Sequence, residues 1–383
     1  MKKQSVLLLL LTVLVFAGLQ GGSLPAPAGQ PPQRGSAAPR IQLAILLDTS
    51  GSMDGLIDQA KSRLWKIVNE LASARKHGRA PRLQVALYEY GQNSIPASAG
   101  YLRRIVPLSE DLDRISEELF RLRTDGGDEY CGQVIQSAVR GLEWSGGTGD
   151  LKMIVIAGNE PFSQGRTDYR ESCREAIARG IIVNTIFCGN FQEGLQQGWK
   201  DGADLADGQY LAIDADQTPP PVTAPQDVEI ARLSDEMNRT YIAYGKDGAG
   251  GKARQKEQDQ NAAGVSGEVM AQRAAAKSAP QYSNPAWDLV DARKAGAVKL
   301  EEMAEAELPE EMKKLSASER NGYVAAMQKK REALQAKIAR LHQERERFVK
   351  EKRQDQATAS TLDAAIIQAL RDQAAGKNFR FDK

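Results

Sequence analysis

The chain has 383 residues but only two histidines, His77 and His342, and three cysteines, Cys131, Cys173 and Cys188. The histidines are far apart and carry no neighbouring ligand pattern, which argues against a histidine-based zinc site and against a serine-protease triad. Neither sign of charge prevails: 51 Lys and Arg against 50 Asp and Glu leave +1, so the charge balance gives no reason to invoke nucleic acid. Also missing is a phosphate-cradling loop, since Gly146–Asp150 (GGTGD) lacks the lysine and the preceding strand that such a loop needs. No general acid–base pair and no Cys–His pair stands out, so the chain is read as a non-enzyme.

Long apolar runs are equally scarce. The one at the start, Val6 to Leu19, follows Lys2 and Lys3 and is too short to span a bilayer comfortably. Small residues follow it, including Ala26-Pro27-Ala28, so residues 1–28 are read as a signal peptide and the protein as periplasmic or secreted. An uncleaved membrane anchor is the alternative; a stable span after cleavage is not expected. In an oxidising compartment the cysteines gain interest, but an odd count allows at most one internal disulfide. Cys173 with Cys188 is one pairing among three, and three buried free thiols are the alternative.

Residues 29–40, rich in Pro, Ala, Gly and Gln, read as a disordered linker. From residue 41 apolar strands alternate with amphipathic helices. Leu43–Leu47 and the run LKMIVIAG have no polar face, as strands covered on both sides should not. Between them and after them come helices of ten to twenty residues, the pattern of a doubly wound, mainly parallel α/β sheet over 41–245. Residues 246–281 turn to Gly, Ala, Gln and Lys and read as a linker or a weak helix, and the linker is taken to run over 246–300. The region 301–383 reads as helical. Ser316 with Glu319 forms a capping box opening a helix to about Arg353, and Ser360 with Asp363 opens a second. The narrow stripe Leu334, Ile338, Leu341 and Phe348, interrupted by Arg345, suggests a helical hairpin or coiled coil and a homo-oligomer built through the tail. Folding back of both helices onto the first domain is the alternative.

The chemistry is concentrated in IQLAILLDTSGSMDGLIDQAK, Ile41 to Lys61. A buried strand ends on Asp48, and Ser50 and Ser52 follow at alternate positions in the turn before a helix. Ligands of open α/β sheets gather at this carboxyl edge. One carboxylate and two hydroxyls make an all-oxygen set suited to a hard divalent cation. The bland reading is that Asp48 and Ser50 only cap the helix.

DTSGSM after an apolar strand resembles the D-x-S-x-S signature of the von Willebrand factor type A (VWA) family, whose metal-ion-dependent adhesion site it begins. The resemblance covers residues 41–245 and implies a Rossmann-like VWA fold followed by an α-helical tail. It implies a cation, Mg²⁺ first and Ca²⁺ or Mn²⁺ as alternatives, and a protein partner whose acidic residue completes the coordination. A further ligand is implied near a Gly-Gly turn, here RTDGGDEYCG, with Asp128 first, Glu129 second and Thr124 third in order of preference. The family's strand-end aspartate is missing, because Ala157-Gly158-Asn159 stands where Thr-Asp-Gly would, and Asn159 or Glu160 is left to offer an oxygen directly or through water. Two other readings stay open: a structural or adaptor protein with a degenerate metal site, and a subunit regulating an ATPase complex.

Overall fold

The computed structural model describes residues 38–214, 216, 220–353 and 361–381. The signal-peptide reading of residues 1–28 and the Ser360 cap lie outside the described residues.

Six strands form the central sheet: β1 (Arg40–Asp48), β3 (Arg82–Tyr90), β4 (Arg103–Ser109), β5 (Leu151–Gly158), β6 (Ile182–Cys188) and β7 (Tyr210–Ile213). Their order is β4-β3-β1-β5-β6-β7; all neighbours are parallel except β4, which runs antiparallel to β3. β1 is central and buried from Ile41 onward, which is why its sequence has no polar face. Chain connections leave β1 towards β3 on one side and reach β5 on the other, so the carboxyl ends of β1 and β5 form the switch point where such sheets bind ligands.

Helix α1 (Asp54–Ser73) and α2 (Leu112–Arg121) cover the face that carries Leu43, Ile45 and Leu47. Helices α3 (Cys131–Gly141) and α4 (Tyr169–Ala178) cover the face that carries Ala44 and Leu46. Two short helices, α5 (Phe191–Gln196) and α6 (Trp199–Asp204), follow β6, and α7 (Asp227–Asn238) follows β7. The small strand β2 (Ala74–Lys76) extends α1 and pairs antiparallel with β8 (Phe379–Phe381), near the chain's end.

The segment read as a linker or a weak helix forms three helices, α8 (Gly248–Val265), α9 (Gly267–Ser278) and α10 (Leu289–Lys294). What orders it is buried charge. Arg273 and Lys277 of α9 have no exposed surface; Arg273 pairs with Asp113 of α2 and Asp259 of α8, and Lys277 Nζ lies 2.6 Å from Asp259 Oδ2. The Arg273 guanidinium also stacks 4.3 Å from the Trp65 ring of α1. Gly251 of α8 lets the helix close on Trp287, where a Cβ would lie 2.3 Å from the indole. Lacking an apolar stripe, α8 gave no periodic signal.

The tail also departs from the hairpin expectation. After α11 (Glu310–Lys313), the capping box forms as read: Ser316 N–H and Oγ donate to Glu319 Oε2, at 2.8 and 2.7 Å. It opens α12 (Ala317–Arg353), which packs against α7 and α9. Arg345, the apparent break in the apolar seam, is fully buried and bonds Asp227 of α7 at 2.6 Å. Arg331, one of α12's charges, is buried against Asp288 and Asp291. Helix α13 (Leu362–Gly376) does not lie along α12 as its principal partner; it packs on α1 and reaches β5, β6 and β7, burying Leu362, Ile366 and Leu370 in the sheet's own core. A narrow apolar stripe suffices because ion pairs carry the rest of the contact.

Candidate metal centre

Asp48 ends β1 with no exposed surface. Its Oδ1 accepts the Ser50 backbone N–H at 2.8 Å, and its buried Oδ2 has no hydrogen-bond partner. The helix-cap reading fails here: the residue before α1 is Met53, and no side chain caps the helix. The two hydroxyls turn to each other, Ser50 Oγ to Ser52 Oγ at 3.3 Å. From the end of β5, Asn159 donates its Nδ2 to Ser52 Oγ at 3.1 Å, while its Oδ1 is buried without a partner.

Of the three residues offered by the 122–130 loop, the structure brings in Glu129. It is buried, and its backbone N–H is fixed by Gln164 Oε1 at 2.6 Å. Gly91, at φ +74°, marks the convergence: a Cβ there would lie 2.8 Å from Asp48 Oδ1, 2.9 Å from Glu129 Cγ and 3.4 Å from Ser50 Cβ. The left-handed backbone and the crowding both require glycine. Asp128, the first preference, is exposed and accepts the Tyr130 hydroxyl at 2.9 Å. Thr124 donates to Asp54 at the start of α1. Neither stands beside Asp48, because Asp128 is turned to the Tyr130 hydroxyl and Thr124 to Asp54.

Electrostatics mark the pair as a charge in want of a partner. Burial, with help from Glu160, pushes Asp48 up to about 7, against the opposing donors of Ser50. Glu129 is pushed up to about 7 by burial first and then by Asp48 and Glu160. A divalent cation fits this set. Asp48 and Glu129 would hold it with the Ser50 and Ser52 hydroxyls and the free Asn159 oxygen, an all-oxygen shell of the kind Mg²⁺ and Ca²⁺ take. Among the described residues no group of three or more His, Cys, Asp or Glu suits a metal, so this centre depends on its hydroxyl and amide oxygens.

Residues missed by sequence reasoning shape the floor. Tyr90 is fully buried, pairs in register with Asp48 and donates its hydroxyl to the Ala157 carbonyl at 2.9 Å. Gly158 leaves room for both, since a Cβ there would lie 2.4 Å from Tyr90 Oη and 2.9 Å from Asp48 Oδ2. The signal available was a glycine at the carboxyl end of two neighbouring strands, Gly91 just after β3 and Gly158 as the last residue of β5. The cysteines are three free, buried thiols, so no disulfide pins the rim; burial pushes Cys173 up to about 12 and also raises Cys131 and Cys188 above the ordinary thiol value.

The class is thus an open parallel α/β domain with an oxygen-rich centre at its switch point. Residues 42–197 match the model of the von Willebrand factor type A domain, and the chain carries a VWA domain there. Comparison with curated proteins gave no match. Among solved structures, the conserved hypothetical protein BatB from Bacteroides thetaiotaomicron is 16% identical over 45% of this chain and 90% of its own, with a TM-score of 0.35. The SpRpn10 VWA domain is 17% identical over 45% and 88%, with a TM-score of 0.35. A mussel byssus protein, proximal thread matrix protein 1, described with a zinc-occupied MIDAS motif, is 10% identical over 47% and 43%, also with a TM-score of 0.35. No helix among the described residues is long and apolar enough to cross a membrane.

Proposed function

We propose that this protein is an exported protein-binding module whose VWA domain holds a divalent cation, Mg²⁺ before Ca²⁺ or Mn²⁺. Asp48, Ser50, Ser52 and Glu129 hold the ion, with Asn159 supplying the oxygen for which the family uses aspartate. VWA domains are commonly protein-interaction modules. The observation that carries the cation reading is the buried carboxylate pair: Asp48 has an unpartnered oxygen and Glu129 lies against it with no basic side chain between them. Unneutralised buried carboxylates are costly, and a cation removes that cost. When bound, the ion supplies concentrated positive charge at an edge where exposed Ser52 opens to solvent.

Calorimetric titration of Mg²⁺, Ca²⁺ and Mn²⁺ into the wild type and Asp48→Ala tests it. Binding to the wild type that Asp48→Ala abolishes is expected; no heat from any of the three cations contradicts it. A second reading, a structural role with a degenerate site, draws on the missing strand-end aspartate at Asn159 and predicts that Asp48→Ala alters neither cation response nor partner capture. Export is tested by sequencing the amino terminus of the mature protein, which should begin near residue 29.

A further inference from the structure

Helix α12 packs on α7 and α9, and α13 packs on α1, which leaves a groove of about 850 Å³ between the two tail helices. Small residues at the end of α9 and just after it, Ala275, Ser278 and Ala279, keep it open. One wall is a face of α12 with helical spacing, Ala339, His342, Gln343, Glu346 and Arg347; the last turns of α1 and Arg371 of α13 form the other. In this groove the Nδ1 of His342 is buried without a hydrogen-bond partner. At the edge the Oε1 of Gln281 is also buried without one; its Nε2 donates to the carbonyl of Ala72, a lining residue, at 3.2 Å. Apart from His342, six charged side chains line the groove, and five are engaged. Lys66 pairs with Asp363 at 2.7 Å, and Arg371 holds Glu70 at 2.6 and 3.0 Å. Arg75 donates to the Ala72 and Ala74 carbonyls at 2.8 Å, and Glu346 accepts from Gln272 at 2.9 Å. The sixth, Arg347, is exposed and pairs with no carboxylate among the described residues.

We propose that this groove binds a short extended peptide segment carrying a carboxylate for Arg347. Buried polar atoms without partners are uncommon in folded proteins, and two beside one groove mark hydrogen bonds that the chain itself does not complete. A peptide main chain brings both a donor and an acceptor with each residue, so it meets an amide oxygen and either tautomer of the imidazole. The α12 wall from Ala339 to Arg347 is roughly 12 Å long, the length of about four extended residues. Among the described residues no Phe, Tyr or Trp lines the groove, so a sugar ring finds no aromatic face to stack on. Arg347 supplies the one charge left to pair, and a guanidinium takes a carboxylate through two parallel hydrogen bonds. The site is independent of the cation centre. Helix α1 begins just after the metal turn, and Asn69, on the groove, lies roughly 20 Å along that helix from Asp54.

The test is selection of a random hexapeptide phage library on the full chain, followed by fluorescence anisotropy of the enriched peptides and of labelled maltohexaose. Four proteins are compared: wild type, Ala339→Trp, which fills the groove, Arg347→Glu, and Ala336→Trp, the same exchange at an exposed position of α12 outside the groove. Peptides containing Asp or Glu should be enriched. They should not bind Ala339→Trp, should weaken about fivefold or more in Arg347→Glu, and should bind Ala336→Trp and wild type alike, in Mg²⁺ and in EDTA. Absence of enrichment would overturn the inference, as would enriched peptides without acidic residues or ones that bind Ala339→Trp as well as wild type. Maltohexaose binding that Ala339→Trp abolishes would assign the groove to a sugar and overturn it too. Loss of peptide binding in EDTA would place the peptides at the cation centre, again against the inference. Groove-dependent peptide binding without any Mg²⁺ heat in calorimetry would refute the cation centre and leave this site standing.

Discussion

Two buried aspartates, Asp48 at the carboxyl edge and Asp259 in the helical layer, have opposite surroundings. Asp259 lies between Lys277 and Arg273, accepts from both at 2.6 and 2.9 Å, and is held down to about 2 despite its burial. Asp48 lies among Glu129 and Glu160, with one oxygen unpartnered, and is pushed up to about 7. Burial acts on both in the same direction; the neighbours decide the outcome. A buried charge with its partners in place is structure, whereas one whose partners are missing marks a place for something the chain does not itself supply.

The contrast can be broken at several points. The largest effect belongs to truncation after Arg353, which removes α13 and β8 and uncovers the sheet face they bury. At about 1.5–3 kcal/mol for each fully buried large apolar side chain, loss of Leu362, Ile366, Leu370 and Phe379 exceeds about 5 kcal/mol. Urea unfolding should show a domain near or below its stability threshold; a truncated chain with unchanged stability would mean that α13 is an appendage. Next is Arg273→Met, which leaves Asp113 and Asp259 without their shared cation and should cost about 3–5 kcal/mol in the same measurement.

Asp259 also sets a pH dependence. Its folded pKa lies below the ordinary value of 3.8, so its stabilisation is complete above pH 4 and is lost as pH falls towards 2. The acid limb of an unfolding curve should shift to higher pH in Asp259→Asn. The smallest effects separate the loop residues. Glu129→Gln should weaken Mg²⁺ binding about tenfold, or roughly 1.4 kcal/mol, whereas Asp128→Asn and Thr124→Ala should change it by less than about threefold, since neither lies beside Asp48. Equal losses for all three would return the loop to the sequence-level ambiguity.

How much was legible in the sequence follows the same division. The α/β alternation and the D-x-S-x-S turn were readable because apolar periodicity and strand-end chemistry are local. The choice among Thr124, Asp128 and Glu129 was not, since it depends on which side of an irregular turn each side chain leaves; the contacts of Gly91, just after β3, place Glu129 beside Asp48. Nor was the helical layer. Its first helix, α8, lacks an apolar stripe, and the layer is held by polar contacts 14 to 169 residues apart in sequence, such as Arg273 with Asp259 and the Tyr282 hydroxyl with Asp113, so a polar segment like 246–281 resembles a linker until its partners are placed. Arg345 misled for the same reason, as a break in a coiled-coil seam and in fact a buried partner of Asp227.

The most direct test of the central claim is thermal unfolding of the wild type and Asp48→Asn, each with EDTA and with saturating Mg²⁺. The wild-type midpoint should rise with Mg²⁺ concentration, as binding to the native state alone requires, while Asp48→Asn, more stable than wild type in EDTA because its buried group carries no charge, should not respond. A Mg²⁺ response equal in both proteins, or an Asp48→Asn chain destabilised in EDTA as Asp259→Asn is expected to be, would contradict the account.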